Sequence, residues 1–255
     1  MTPPPSLSQK PSYRRVLLKI SGQALAGPES GAQGISQAML EKMASEIRQV
    51  HDLGIEVCVV VGGGNIYRGI AGAQTHGMDR ATSDYMGMMA TIINALALQN
   101  TIEHANMKCR VMCAFPIEAI GETYIRRRAL HHMEKGHIVI FAGGTGNPFF
   151  TTDTAAALRA SEMGCDLLLK ATKVDGVYSA DPLKDSTARF HPTLSYDDIL
   201  TRNLGIMDAT AIALARENLI PVAIFSIYEE GGFAKVIRGE GNFTLITEKE
   251  SAPHQ

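Results

Sequence analysis

The chain has 255 residues, 45% hydrophobic and 20% charged, with a formal net charge of −2. That balance suits a globular protein with a large core and excludes binding to nucleic acid through a basic surplus. No apolar run approaches the roughly 18 residues that a membrane helix needs.

Met1 to Ser12 holds four prolines and no apolar block, so it reads as a flexible tail and not as a signal peptide. Residues 249–255 read as a second loose tail. Residues 13–248 read as one domain. Arg15 to Gly22 is a strand ending in a glycine turn, and the glycine-rich segment Gly27 to Gly34 is a mobile loop. Leu40, Met43, Ile47 and Val50 recur at helical spacing, which predicts an amphipathic helix over Gln37 to Leu53. Glu56 to Val61 is a buried strand running into Gly62-Gly63-Gly64-Asn65.

Arg80 to His104 predicts a long helix with Met86, Met88, Met89, Ile92, Ile93, Leu96 and Leu98 on more than one face. Such a helix is deeply buried or lies in a subunit contact. Cys109 to Phe115 is a third strand, Glu122 to Lys135 a polar-faced helix, and Ile138 to Ala142 a fourth strand. A helix follows from Thr154 to Met163, then a strand from Cys165 to Lys170 with a hairpin-type turn at Asp175-Gly176. Asp208 to Asn218 is the last helix, and Pro221 to Ser226 and Phe243 to Ile246 the last strands.

Strands alternating with helices predict a mainly parallel sheet covered on both faces, with ligands beyond the carboxyl ends of its strands. Three strands end in glycine-rich turns, at Ser21-Gly22, Gly62 to Gly64 and Gly143 to Gly146. Glycine lets backbone N–H groups approach an anion, so the pattern points to a phosphate-bearing ligand. Thr145 to Asp153 adds an asparagine and several threonines just before a helix start, where the backbone is electropositive. A P-loop (G-x-x-x-x-G-K-S/T) and a dinucleotide fingerprint are both absent.

Lys19 sits inside an apolar strand next to its glycine turn. It is either a snorkelling edge lysine or a fixed charge aimed at phosphate. Arg68 either lies on the surface or forks onto a second phosphate. Asp153, Asp181 and Asp208 are N-caps, or together orient Lys19 and hold magnesium. Tyr178 packs on a strand or stacks on a base. Cys58, Cys109, Cys113 and Cys165 form no C-x-x-C pair, which fits a reduced, cytoplasmic chain.

Four runs carry a resemblance: Lys19 to Leu25, Gly62 to Gly69, Thr145 to Asp153, and Lys170 to Pro182. Together they resemble the bacterial uridylate (UMP) kinase branch of the amino acid kinase family, over about Arg14 to Thr247. The resemblance implies an α/β fold, a three-layer αβα sandwich around a mainly parallel sheet of about eight strands. It implies phosphoryl transfer from ATP-Mg²⁺ to UMP in pyrimidine biosynthesis, by a homohexamer. Carried over residue by residue, Lys19, Ser21, Gly22, Gly64, Arg68, Thr172, Tyr178 and Asp181 meet ATP. Gly63 and Asp84 meet UMP, and Thr145, Gly146, Asn147, Pro148, Phe149, Phe150, Thr151 and Thr152 enclose it. Lys19, Arg68, Asp153, Lys170 and Asp208 carry the chemistry, with Mg²⁺ held through nucleotide phosphates and Asp208 as its one candidate side chain.

Many members of this branch respond to GTP as activator and UTP as inhibitor, the activator binding through basic and aromatic groups between subunits. Here Arg110 fits that pattern, while Arg126 replaces an aromatic and His137 an arginine. Gln23 stands where glutamate is usual. Two rival readings share the glycine turns. One is a sibling kinase making acylphosphates of the acetylglutamate or aspartate type. The other is a non-catalytic UMP or UTP sensor. The Thr145 to Thr152 loop argues against the first, and Lys19, Asp153 and Asp208 against the second.

Overall fold

A computed structural model describes residues 13–27, 29, 33–68, 77–180, 185, 187–202 and 204–248. Both terminal tails and part of the Gly27 to Gly34 loop lie outside the described residues. Among the described residues, nine strands form one sheet in the order β4-β3-β5-β2-β1-β6-β10-β11-β9. They are β1 (Arg15–Ile20), β2 (Glu56–Val61), β3 (Cys109–Cys113), β4 (Glu122–Thr123), β5 (Ile138–Ala142), β6 (Leu167–Thr172), β9 (Thr193–Ser195), β10 (Val222–Ser226) and β11 (Phe243–Thr247). Every neighbouring pair is parallel except β10 with β11. The two short strands β7 (Val177–Tyr178) and β8 (Phe190–His191) form a separate antiparallel ribbon.

The helices are α1 (Gly22–Ala26), α2 (Gln37–His51), α3 (Arg80–His104), α4 (Arg126–Glu134), α5 (Thr152–Met163), α6 (Tyr196–Arg202), α7 (Ala209–Glu217) and α8 (Gly232–Ile237). The central strands read as continuous apolar runs because both sheet faces are covered. Side chains of β1 alternate between them. Val16, Leu18 and Ile20 join α2, α3 and α8 in one core. Leu17 joins α4, α5 and α7 in the other. Lys19 shares the parity of Leu17, so it emerges on the α5 side at the carboxyl end of the strand.

Most expected elements stand where the periodicity put them; α3 and β5 match to the residue. Three expectations are corrected. Glu122 to Lys135 is not one helix: Glu122 and Thr123 pair with β3 at the sheet edge, and the helix starts at Arg126. The Asp175-Gly176 turn does not join a hairpin, because β6 pairs with β1 and β10 while β7 pairs with β8. The first glycine turn is itself helical, with the Ser21 hydroxyl capping α1 by accepting from the Ala24 amide.

Candidate functional site

The site begins with register. Lys19 on β1 and Lys170 on β6 are direct partners in the parallel ladder. Two ammonium groups side by side repel one another, and Asp153 from the first turn of α5 lies between them. Its Oδ2 accepts from Lys170 Nζ at 2.6 Å, and its Oδ1 lies 2.6 Å from Lys19 Nζ. The Lys19 contact is an ion pair that misses hydrogen-bond direction, which leaves Oδ1 without a directed donor. Lys170 also donates to the Ile206 carbonyl.

Burial pushes the Asp153 carboxyl up, but the charges of Lys19 and then Lys170 outweigh it and hold it below the ordinary value. Burial and the Lys19 charge pull Lys170 below the usual lysine value, against the opposing pull of Asp153. The trio keeps a formal net charge of +1 in a water-poor place, where a fixed charge acts most strongly.

Asp208 sits next to this centre in the role of a tie. It caps α7 by accepting from the Ala211 amide at 3.0 Å. It also accepts from Thr154 Oγ1 at 2.8 Å and from Thr151 Oγ1. Thr151 in turn caps α5, accepting from the amides of Asp153 and Thr154.

Two cavities flank the glycine turns. The larger, about 680 Å³, is lined by Lys19, Ser21, Lys170, Thr172, Tyr178 and the Leu204–Ile206 segment, among others. Tyr178 there packs edge-on against Phe190 and donates to Asp175 Oδ1 at 2.8 Å. The smaller, about 210 Å³, is lined by Gly63, Gly64, Arg68, Asp84, Thr145, Asn147, Phe150, Thr151 and Thr152, among others. The glycines explain how the turns can meet. A Cβ on Gly22 would lie 2.6 Å from the Gly64 nitrogen, and one on Gly63 would lie 2.7 Å from the Gly87 oxygen. No larger residue fits either place.

The sequence-predicted residues divide as follows. Lys19, Asp153, Lys170, Asp208 and Thr151 come together. Ser21 and Thr172 line the larger cavity; Gly63, Gly64, Arg68, Asp84, Thr145, Asn147 and Phe150 line the smaller. Arg68 folds back to donate to the Gly64 carbonyl. Gly22 backs the Gly64 turn. Phe149 is two-thirds exposed with φ +73°, the left-handed region a phenylalanine rarely adopts. Asp181 lies outside the described residues.

Arg110 and Arg126 are not in one cleft. Arg110 lines a separate cavity of about 440 Å³ with Arg128 and Glu122. Arg126 instead donates to the Glu162 carbonyl. Gln23, noted in the sequence only as a replacement for glutamate, donates to the Gly64 carbonyl at 2.9 Å, and Arg80, which the sequence reading passed over, lines the smaller cavity. Thr91 lines that cavity too; polar residues inside the apolar pattern of α3 were the signal available for it.

No group of three or more His, Cys, Asp or Glu side chains among the described residues can hold a metal ion. Asp153 and Asp208 spend their oxygens on lysines, threonines and a helix cap. This donor set suits a cation carried in on phosphates, not one caged by protein.

A model of the amino acid kinase family matches residues 14–226. The chain belongs to the amino acid kinase family. Among its relatives, the uridylate kinase of Rickettsia felis is 56% identical over 236 residues, covering 92% of this chain and 96% of the relative. That of Paramagnetospirillum magneticum is 54% identical over 234 residues, with the same shares. The crystal structure of a UMP kinase from Bacillus anthracis superposes with a TM-score of 0.89 at 42% identity, covering 93% of this chain and 97% of that one. A UMP kinase from Ureaplasma parvum gives 0.85 at 36% identity, with 92% and 98% covered.

Proposed function

We propose that the protein is a UMP kinase that transfers the terminal phosphoryl of ATP to UMP, giving UDP and ADP. One observation carries the reading: two cavities flank the glycine turns near the Lys19–Asp153–Lys170 trio, and the smaller is walled by the Thr145–Thr152 loop. The larger cavity takes ATP, with Ser21, Thr172 and Tyr178 on its wall. The smaller takes UMP, with Asp84 and the loop around it. Similarity to uridylate kinases over nearly the whole chain supports both assignments.

In this reading the protein does little covalent chemistry; it aligns two nucleotides and neutralises charge. Lys19 and Lys170 face the phosphoryl in flight. Asp153 keeps their ammonium groups apart and aimed. Arg68 and the Gly64 turn steady the phosphates between the two nucleotides. Asp208, through Thr151 and Thr154, holds the start of α5 against the loop. Mg²⁺ bound on the phosphates would supply further neutralisation, and Asp208 is the candidate side chain for it only by giving up a contact to Thr151, Thr154 or the α7 cap.

The finer reading extends to a single kinase domain over 13–248, a homohexamer, and a cytoplasmic setting. The four cysteines are free thiols, which supports that setting. GTP as activator is assigned to Arg110 and Arg126, which lie apart within one chain, and UTP is a further candidate inhibitor. The acylphosphate and sensor readings are disfavoured by the loop and by the intact charge trio.

The test is ADP release with ATP-Mg²⁺ and UMP, CMP, acetylglutamate or aspartate as acceptor. UMP should be used far better than CMP, because uracil and cytosine present opposite groups at position 4. A mismatch there leaves a buried polar group unpaired, at about 1–3 kcal/mol. Equal turnover of UMP and CMP would sink the reading.

A further inference from the structure

One face of α3 carries Asp84, Gly87, Thr91 and Asn94 at spacings of three, four and three residues. Such positions align along a helix. Each meets a different part of the site. Asp84 accepts from the Phe149 amide at 2.8 Å. The Gly87 carbonyl closes the space that a side chain on Gly63 would need. Thr91 Oγ1 donates to its own helix at Met88 and accepts from the Gly143 amide at 2.8 Å. Asn94 Nδ2 donates to the Gly62 carbonyl at 2.7 Å. Asn94 and Asn65 also exchange amide hydrogen bonds at 2.7 and 3.0 Å, and Asn65 donates to the Gly34 carbonyl at 2.6 Å.

These side chains are expensive where they are. Thr91, Asn94 and Asn65 are all buried, Asn94 completely. The neighbours of Thr91 and Asn94 on the helix, Met88, Ile92, Ala95 and Leu98, are core residues. A buried amide or hydroxyl destabilises unless its hydrogen bonds are made. Here they are made, and the bonds that leave α3 go to the two turns that end β2 and β5. Those turns lie past the last residues of the sheet ladder between the two strands. Pairing between β2 and β5 therefore does not set how the two turns sit relative to one another, although the Gly62 amide also donates to the Ile20 carbonyl of β1 at 2.8 Å.

We infer that Thr91 and Asn94 are positioning residues, holding the Gly62 and Gly143 turns in register so that phosphates meet aligned for transfer. The inference rests on the phosphoryl-transfer reading above. Alignment is where small displacements matter most, since reacting atoms must lie close and in line. Thr91 itself lines the smaller cavity, but its hydroxyl is spent on Met88 and Gly143, so the bases and riboses are left to the other wall residues. A shifted turn therefore slows transfer while leaving most of the binding in place.

The test compares Thr91→Val, Thr91→Ser and Asn94→Leu with wild type, using steady-state kinetics and thermal unfolding on the same preparations. Thr91→Val keeps shape and loses the hydroxyl. It should lower kcat about tenfold or more, with KM for UMP and ATP changed by less than about threefold. Asn94→Leu should do the same. Thr91→Ser, which keeps the hydroxyl, should restore most of kcat. Wild-type kcat per folded molecule in Thr91→Val and Asn94→Leu, or no rescue by Thr91→Ser, would overturn the inference. So would failure of both variants to fold, because the stripe would then serve stability alone. Absence of turnover in wild type would overturn the phosphoryl-transfer reading and this inference with it. Full turnover in the variants overturns this inference alone.

Discussion

Asp84 Oδ2 accepts from the Phe149 amide at 2.8 Å and from Arg80 Nε at 2.8 Å. A single carboxylate oxygen thus joins α3 to a loop 65 residues away in the chain. The Arg80 guanidinium also lies over the Phe149 ring, 5.8 Å from its centre. The carboxylate assigned to UMP therefore also sets the loop proposed to enclose it.

Asp84→Asn should chiefly raise the KM for UMP. The amide keeps an acceptor for Phe149 but loses the charge that strengthens both bonds. A hydrogen bond to a charged group is worth about 1.5–3 kcal/mol, so KM should rise roughly tenfold or more. Initial-rate kinetics with varied UMP checks this. A fall in kcat at unchanged KM would reject the binding role.

Lys19→Ala should lower kcat by about 10²–10³, with a smaller effect on UMP binding, since its charge matters most in the transition state. Asp153→Asn should cost both activity and stability. It leaves two buried ammonium groups facing each other without their counter-charge. Breaking a buried ion pair from one side costs about 3–5 kcal/mol, readable by urea unfolding. A Lys19→Ala enzyme within twofold of wild-type kcat would make Lys19 a structural lysine.

The pKa directions separate two pH limbs. The Asp153 carboxyl is held below the ordinary 3.8, so the unfolded chain binds the proton more readily. Its contribution to stability is present above about 3.8 and is lost as pH falls through the lower folded value. Lys170 is pulled below the ordinary 10.5 and must be protonated to act on phosphate. Turnover should therefore fall on the alkaline side with an apparent pKa below 10.5. Lys170→Arg should move that limb upward, because arginine stays charged. A pH–rate profile of kcat on both proteins decides it, and an unmoved limb would assign the titration to another group.

Tyr85, Met86, Met89 and Ile93 on α3 are all exposed, beside the polar stripe that faces the site. A row of large apolar side chains on one helix is costly in water and marks a contact surface. Sedimentation velocity should show an oligomer, reduced in size by Met89→Glu or Ile93→Glu. A wild-type monomer at micromolar concentration would remove the hexamer. The same preparations serve for GTP binding with UMP saturating, where Arg110→Ala should weaken affinity. Unchanged affinity would move the effector away from Arg110.

Much of this was legible without coordinates because it rests on local signals. The apolar runs of β1, β2 and β5 announce strands buried on both faces, and the helical spacing of α3 shows through its methionines. The glycine turns and the Thr145–Asp153 loop carry their chemistry in consecutive residues. The rest depends on approach between distant parts of the chain. Lys19 and Lys170 are 151 positions apart, and only the parallel register of β1 and β6 makes them neighbours. Only the return of α5 sets Asp153 between them. Thr91 and Asn94 look like blemishes in an apolar helix until the turns they hold are folded against it. The Glu122–Lys135 segment was misread because edge pairing with β3 claims Glu122 and Thr123 against a helical pattern. Local periodicity records which face of an element is buried; what that face meets is decided by tertiary packing.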